Sequence, residues 1–352
     1  MNKKELSLLI CPYCGSKFHL GQTFQKNKYH IEFGSVYCQC DEFPIISGIL
    51  YLHKNRSKKI LYYLRRRQFN SALCSAFEFG QKQKFLFNIF THLNKKIRVS
   101  PTNLMNRFLI THLWKIPLPE YKYYFSRHRE IESLLFFVPL SFCQAKNKTL
   151  WLNVGSGITN YYQQLHQSRS KTTIVSLENL FRNIYLSHFF FPQKNTLYLC
   201  SDAASGPHFP PNSLDIATLI DSLPFIDHQK KSLEYITKNS LKKSGILFIS
   251  SQVEHLYFPD NNNIFPLPVS LIKTFFISPP QLFDEIKLCQ SLFTPNSLQN
   301  SLLKKSSTPL FRYCLLWPSQ RLPSNLILPQ SLKKYHYTLW QNATFHWQNK
   351  IY

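Results

Sequence analysis

Residues 149–165, "TLWLNVGSGITNYYQQL", decide the fold. The first six read as a short apolar strand, the two glycines read as a tight turn, and the rest reads as the opening of a helix. A strand that enters a helix through Gly155-Ser156-Gly157 lets the backbone approach a ligand closely, with the helix amino end facing it. On their own these glycines fit a plain strand-to-helix turn equally well. The residues further along the chain give them a partner.

Beyond residue 146, strand and helix patterns alternate, which predicts a parallel sheet covered by helices. Strands are expected at 149–154, 172–177, 195–200, 214–220 and 245–250, and helices at 179–190 and 228–241. The stretch "TPLFRYCLLW" (308–317) reads as a further strand. Glu178 closes the second strand 21 residues after Gly157, the place for an acid that accepts hydrogen bonds from ribose hydroxyls. Asp202 in "LYLCSDAASG" stands just past the third strand, where a carboxylate can meet the exocyclic amine of an adenine. Asp215 opens the fourth strand and reads as structural, whereas Asp221 ends it. A nicotinamide-binding turn would carry a third glycine where this chain has Asn160.

In this order the motifs of residues 149–252 resemble the class I S-adenosylmethionine-dependent methyltransferases. "LNVGSG", "VSLEN", "CSDAASGPHFPPNSLDIATLIDSLPFI" and "LKKSGILFISS" fall where that family carries its glycine loop, ribose acid, adenine-side Asp, fourth strand and fifth strand. The resemblance implies an enzyme with a Rossmann-like α/β domain, mostly parallel, with the strand near 308 as its antiparallel edge. It also implies S-adenosylmethionine held by Gly155, Ser156, Gly157, Glu178, Asn179, Asp202, Ala203 and Asp221. Two features depart from the family pattern: "GSGIT" lacks a third glycine, and "ASGPHFPP" is proline-rich. "DSLPF" (221–225) has one proline where amino-methylating nucleic-acid enzymes carry two, so that match is accidental. The sulfonium already activates the methyl group, so binding, aim and exclusion of water suffice. None of His208, His228 and His255 is assigned as a base.

A second constellation lies near the amino end. Cys11 and Cys14 form a Cys-x-x-Cys-Gly knuckle, and Cys38 and Cys40 follow across a 23-residue gap. Two such arms predict a closed tetrahedral thiolate site for structural zinc. The tight Cys-x-Cys arm leaves His19 and His30 as substitute ligands, and a redox dithiol is the rival reading. From "CPYCG" to "FPIISGILYL", residues 7–53 resemble the zinc ribbon of the small activator of tRNA, rRNA and release-factor methyltransferases. The same module is found fused ahead of many bacterial methyltransferase domains.

The 352 residues predict a zinc-ribbon module (1–53), a basic helical segment (54–145), a class I methyltransferase domain (146–320) and a tail (321–352). Hydrophobic residues at 44% suffice for a real core. Of the net charge of +24, more than half lies in residues 54–132, with 17 basic and 4 acidic side chains. This favours an anionic partner, RNA or an anionic membrane surface, or a phosphorylated substrate. No apolar run reaches 18 residues, no signal peptide is expected, and nine cysteines with four clustered favour the cytoplasm. The acceptor stays open among a small or lipid-linked molecule and RNA, and a degenerate cofactor-binding scaffold is the non-enzyme alternative.

Overall fold

The computed structural model describes residues 1–27, 30–96, 100–101, 103–126, 135–140, 148–158, 171–252, 269–276, 278–291, 302 and 313–317. Its strands are β1 (His19–Asn27), β2 (His30–Tyr37), β3 (Glu42–Ile46), β4 (Ile49–Tyr51), β5 (Thr149–Val154), β6 (Thr172–Glu178), β7 (Thr196–Cys200), β8 (Leu214–Ile220), β9 (Leu241–Gln252), β10 (Gln281–Asp284) and β11 (Tyr313–Trp317). The fold is mixed α/β, with parallel pairing among β5, β8 and β9 and a β-rich cysteine cluster at the amino end. Contacts divide the chain into two compact units, whose limits differ from residues 53, 145 and 320.

The first unit holds the chain up to residue 126, the start of 157–160, and 175–208. Its strand order is β1-β2-β3-β4-β7-β6. The first four strands form an antiparallel meander. Ser47 and Gly48, both at positive φ (52° and 79°), make the two-residue turn between β3 and β4, the backbone shape that matches hairpin twist. β4 then lies parallel to β7, pairing Leu50 with Leu199 and Tyr51 with Cys200. The cysteine module is therefore continuous with the parallel strands of this unit.

Helices follow at Lys54–Arg65 (α1), Phe69–Ala76 (α2), Gln81–Lys96 (α3), Leu104–Leu113 and Leu118–Ser126. Ile60, Leu61 and Leu64 are buried as the amphipathic pattern of "KKILYYLRRRQF" predicts. Within the basic helical segment this stretch spans two helices: Arg67 takes φ 56° after the first, and Phe69 opens the second, stacked at 4.5 Å on Phe33. The core joins Phe33, Ile46, Tyr51, Ile60, Phe87, Phe90, Trp114 and Tyr185. Each large apolar side chain buried this way contributes about 1.5–3 kcal/mol. A reciprocal amide pair, Asn94 with Asn106 at 3.0 and 3.2 Å, satisfies the polar groups buried beside it.

The second unit carries 135–140, 148–156, 171–174 and the described residues from 209 onward, in the order β5-β8-β9-β11-β10. β5, β8 and β9 are parallel, and β11 runs antiparallel to β9 as expected, but it is not the edge: β10 pairs antiparallel with its other side. These strands are continuous apolar runs because both faces are covered. β9 starts earlier than expected: Leu241 belongs to it, not to the preceding helix. That helix runs Gln229–Glu234 and widens into π-type turns over Tyr235–Ser240. β9 bulges between its pairings at Leu241 and Ile246. A Cβ on Gly245 would meet the Leu214 carbonyl oxygen at 2.9 Å, so a glycine fits this crowded turn. The helix expected after the glycine turn, residues 308–312, His255 and the tail at 321–352 lie outside the described residues.

Candidate functional site

The glycine turn is built as expected at its backbone. Gly155 and Gly157 take φ of 64° and 57°, the left-handed region that suits glycine. In the second unit a Cβ on Gly155 would lie 2.4 Å from Ser222 Cβ, and the Ser222 hydroxyl donates to the Val154 carbonyl at 2.8 Å. Gly155 is therefore required by packing as well as by φ. Asp221, beside Ser222, takes φ 51°. Asp215 is structural, as read: it accepts from the Leu150 N–H at 2.8 Å and from Lys242 Nζ at 2.7 Å.

In the first unit, Glu178 binds the other end of the turn. Its Oε2 accepts the Gly157 N–H at 2.8 Å and its Oε1 accepts the Leu180 N–H at 3.0 Å. The residue is only 8% exposed. Burial pushes its pKa up, while these amides and the Arg182 charge oppose the rise. Each carboxylate oxygen keeps a lone pair beyond the amide it holds. Asn179 comes next, and its carbonyl lies 3.1 Å from His53 Nε2 and accepts the Cys200 thiol at 3.5 Å.

Asp202 follows β7 and caps its own turn. Its Oδ1 accepts the Ala204 N–H at 2.8 Å, and its carbonyl accepts the Ser205 N–H at 3.1 Å and hydroxyl at 2.7 Å. Ala203 is half-buried within the turn. The turn is pinned from below by His208, buried and 2.7 Å from the Ser201 hydroxyl through Nε2. Burial holds His208 down to about 4, so it is neutral at ordinary pH.

The first unit thus brings together Gly157, Glu178, Asn179 and the Asp202 turn, and Gly155, Ser156 and Asp221 belong to the second. Sequence reading missed His53. Burial lowers its pKa, opposed by the Asn179 carbonyl and the Asp202 charge. Because β4 runs parallel to β7, a residue just past β4 arrives at the same strand ends as Asp202. That pairing is the signal, and it is not visible in local pattern.

The four cysteines converge, with all their sulfurs within 4.8 Å of one another. Cys11 and Cys40 are 3.7 Å apart and Cys38 and Cys40 3.5 Å. A zinc tetrathiolate with bonds of about 2.3 Å has sulfur–sulfur edges of about 3.8 Å, so the cluster has the dimensions of such a site. Burial raises the Cys11 thiol strongly and Cys40 to about 11. Desolvation works against ionisation of Cys14 too, but the Ser16 hydroxyl and N–H hold it down to about 6. Neither substitute histidine joins: His19 stacks on Tyr37 at 5.3 Å and His30 faces Glu5 at 4.0 Å.

The cysteine knuckle leans on the Asp202 turn. The Ile10 N–H donates to the His208 carbonyl at 3.0 Å, and the Tyr13 hydroxyl donates to the Leu52 carbonyl at 2.7 Å. A Cβ on Gly206, whose φ is 150°, would lie 1.8 Å from the Pro12 carbonyl oxygen. Knuckle and turn are in backbone contact.

No family model matches the chain, and no curated protein matches it. Solved structures similar to it include YcgJ from Bacillus subtilis, at 13% identity and TM-score 0.37, covering 53% of this chain and 97% of that one. An S-adenosylmethionine-dependent methyltransferase from Mesorhizobium loti matches at 9% identity and TM-score 0.38, over 53% and 96%. The complex of the Trm112 methyltransferase activator with a methyltransferase from Haloferax volcanii matches at 13% and 0.31, over 36% and 54%. Likeness at this level leaves the functional reading to the chain's own geometry.

Proposed function

We propose that the chain is an S-adenosylmethionine-dependent methyltransferase with a structural zinc site. The observation that carries this reading is the buried Glu178, whose carboxylate grips the glycine turn through the Gly157 N–H at 2.8 Å. The acid and the Gly157 end of the turn are thereby joined. Such a fixture suits a ribose: the acid's second lone pairs accept hydroxyls, and the turn's glycines let a chain of atoms pass close to the backbone. Asp202, its Oδ1 held by Ala204, stands at the neighbouring strand end for an adenine amine.

When bound, the cofactor supplies an activated methyl group on its sulfonium. The chain's part is to fix the nucleoside, aim the acceptor and keep water out. The buried Glu178 stays ordered by two amides, so ordering it adds no further entropic cost on binding. Cys11, Cys14, Cys38 and Cys40 would hold the zinc, whose role is to fix the Pro12 knuckle on which Gly206 rests. The acceptor is proposed to be a small or lipid-linked molecule, with RNA as the second reading, favoured by the basic segment 54–132. Incubation of the zinc-loaded protein with radiolabelled S-adenosylmethionine and cell extract, fractionated into RNA, protein, lipid and small molecules, tests this. Label in the lipid or small-molecule fraction supports the first reading, label in RNA replaces it with the second, and label in no fraction refutes both.

A further inference from the structure

A recess of about 380 Å³ opens between the helices of the first unit, and none of the four clustered cysteines lines it. Arg56, Lys59 and Tyr63 line it from one face of α1, spaced three and four residues apart. Ser71 and Ser75, one turn apart on α2, add two hydroxyls to its lining. Lys84 enters from α3. Glu78, at φ 61° in the turn between α2 and α3, faces back and pairs with Arg56. Among the described residues, Lys59 and Lys84 have no acidic partner.

Three cations against one carboxylate leave the recess with two positive charges. A phosphate monoester carries close to two negative charges at neutral pH, and its three terminal oxygens need more donors than a carboxylate would. Ammonium, guanidinium and hydroxyl donors converging on one recess meet that need. The recess has the volume of a small-ligand site. Elsewhere in the basic segment, Arg65 pairs with Glu42 and Arg66 lies 4.3 Å over the Tyr62 ring.

We propose that this recess binds a phosphate monoester group, through Lys59, Lys84, Arg56 and the serine hydroxyls. If the chain methylates an acceptor, the recess is the anchor for a phosphorylated one: α1 begins one residue after His53, which touches the Asn179 carbonyl. That second statement rests on the methyltransferase reading, and the first does not.

Calorimetry of the full zinc-loaded chain with inorganic phosphate and with glycerol phosphate, at constant ionic strength, tests the site. Saturable 1:1 binding is expected, weakened at least about tenfold in Lys59→Gln/Lys84→Gln by loss of two charge-assisted contacts. Lys58→Gln, a neighbouring exposed cation outside the recess, is expected to bind like wild type. Vesicles containing phosphatidic acid, run beside the soluble monoester, distinguish a lipid headgroup from a free metabolite as the source. No saturable phosphate binding, equal affinity in the double variant, or binding of poly(U) alone overturns the proposal. Phosphate binding without S-adenosylmethionine binding would instead overturn the cofactor reading and leave the recess standing.

Discussion

Gly206→Ala probes the contact between the cysteine knuckle and the Asp202 turn. The new methyl carbon would sit 1.8 Å from the Pro12 carbonyl oxygen, 2.7 Å from its carbonyl carbon and 3.2 Å from its Cα. All three are backbone atoms, so no rotamer change relieves the clash. The φ of 150° adds backbone strain of about 1–3 kcal/mol. Displacing a packed backbone adds about 1–3 kcal/mol more. The expected loss is roughly 2–6 kcal/mol, a fall of about 10 °C in midpoint at some 2–4 °C per kcal/mol. Gly15→Ala is the matched control: φ is 70°, yet nothing lies within 4 Å of its Cβ. That substitution carries only backbone strain, about 1–2 kcal/mol. Thermal unfolding of wild type and both variants, with zinc content measured on each, separates the two contributions. Gly206→Ala is expected to be clearly the less stable and to weaken S-adenosylmethionine binding as well. Equal midpoints for the two variants would refute the coupling of knuckle and turn.

Elemental analysis is expected to give one zinc per chain, lost in Cys38→Ser/Cys40→Ser, and full retention by that variant would refute the ligand set. His208 is held at about 4 against an ordinary 6.5, so the unfolded chain takes up a proton there before the folded one does. Its contribution is full above about pH 6.5 and falls by up to about 3 kcal/mol as pH drops toward 4. Urea midpoints between those pH values should fall less steeply in His208→Gln than in wild type, and parallel slopes would contradict the neutral buried imidazole.

Much of the second unit could be read from sequence because its strands are buried on both faces. "TLWLNV" and "LDIATLI" became β5 and β8 at the expected residues. The spacing of 21 residues from Gly157 to Glu178 marked the acid as one for ribose hydroxyls, but did not show that it would hold the turn's own N–H. What escaped was long-range. The pairing of Leu50 with Leu199 joins strands about 150 residues apart, and no local periodicity encodes it. His53 was missed for the same reason. The break at Arg67 was hidden because a non-glycine residue adopts positive φ there. The basic excess in 54–132 favoured an anionic partner but did not reveal the recess around Lys59 and Lys84, since only the packing of α1, α2 and α3 gathers its charges.

The central claim is that Glu178 and the glycine turn form a nucleoside cradle. Titration calorimetry of the zinc-loaded chain with S-adenosylmethionine, wild type beside Glu178→Ala, tests it most directly. Wild type is expected to bind in the micromolar range, about −8 kcal/mol. The variant, without the ribose acceptor and the anchor of Gly157, should bind at least about tenfold more weakly. No heat and no thermal shift with wild type at saturating ligand, or wild-type affinity in Glu178→Ala, would contradict the account.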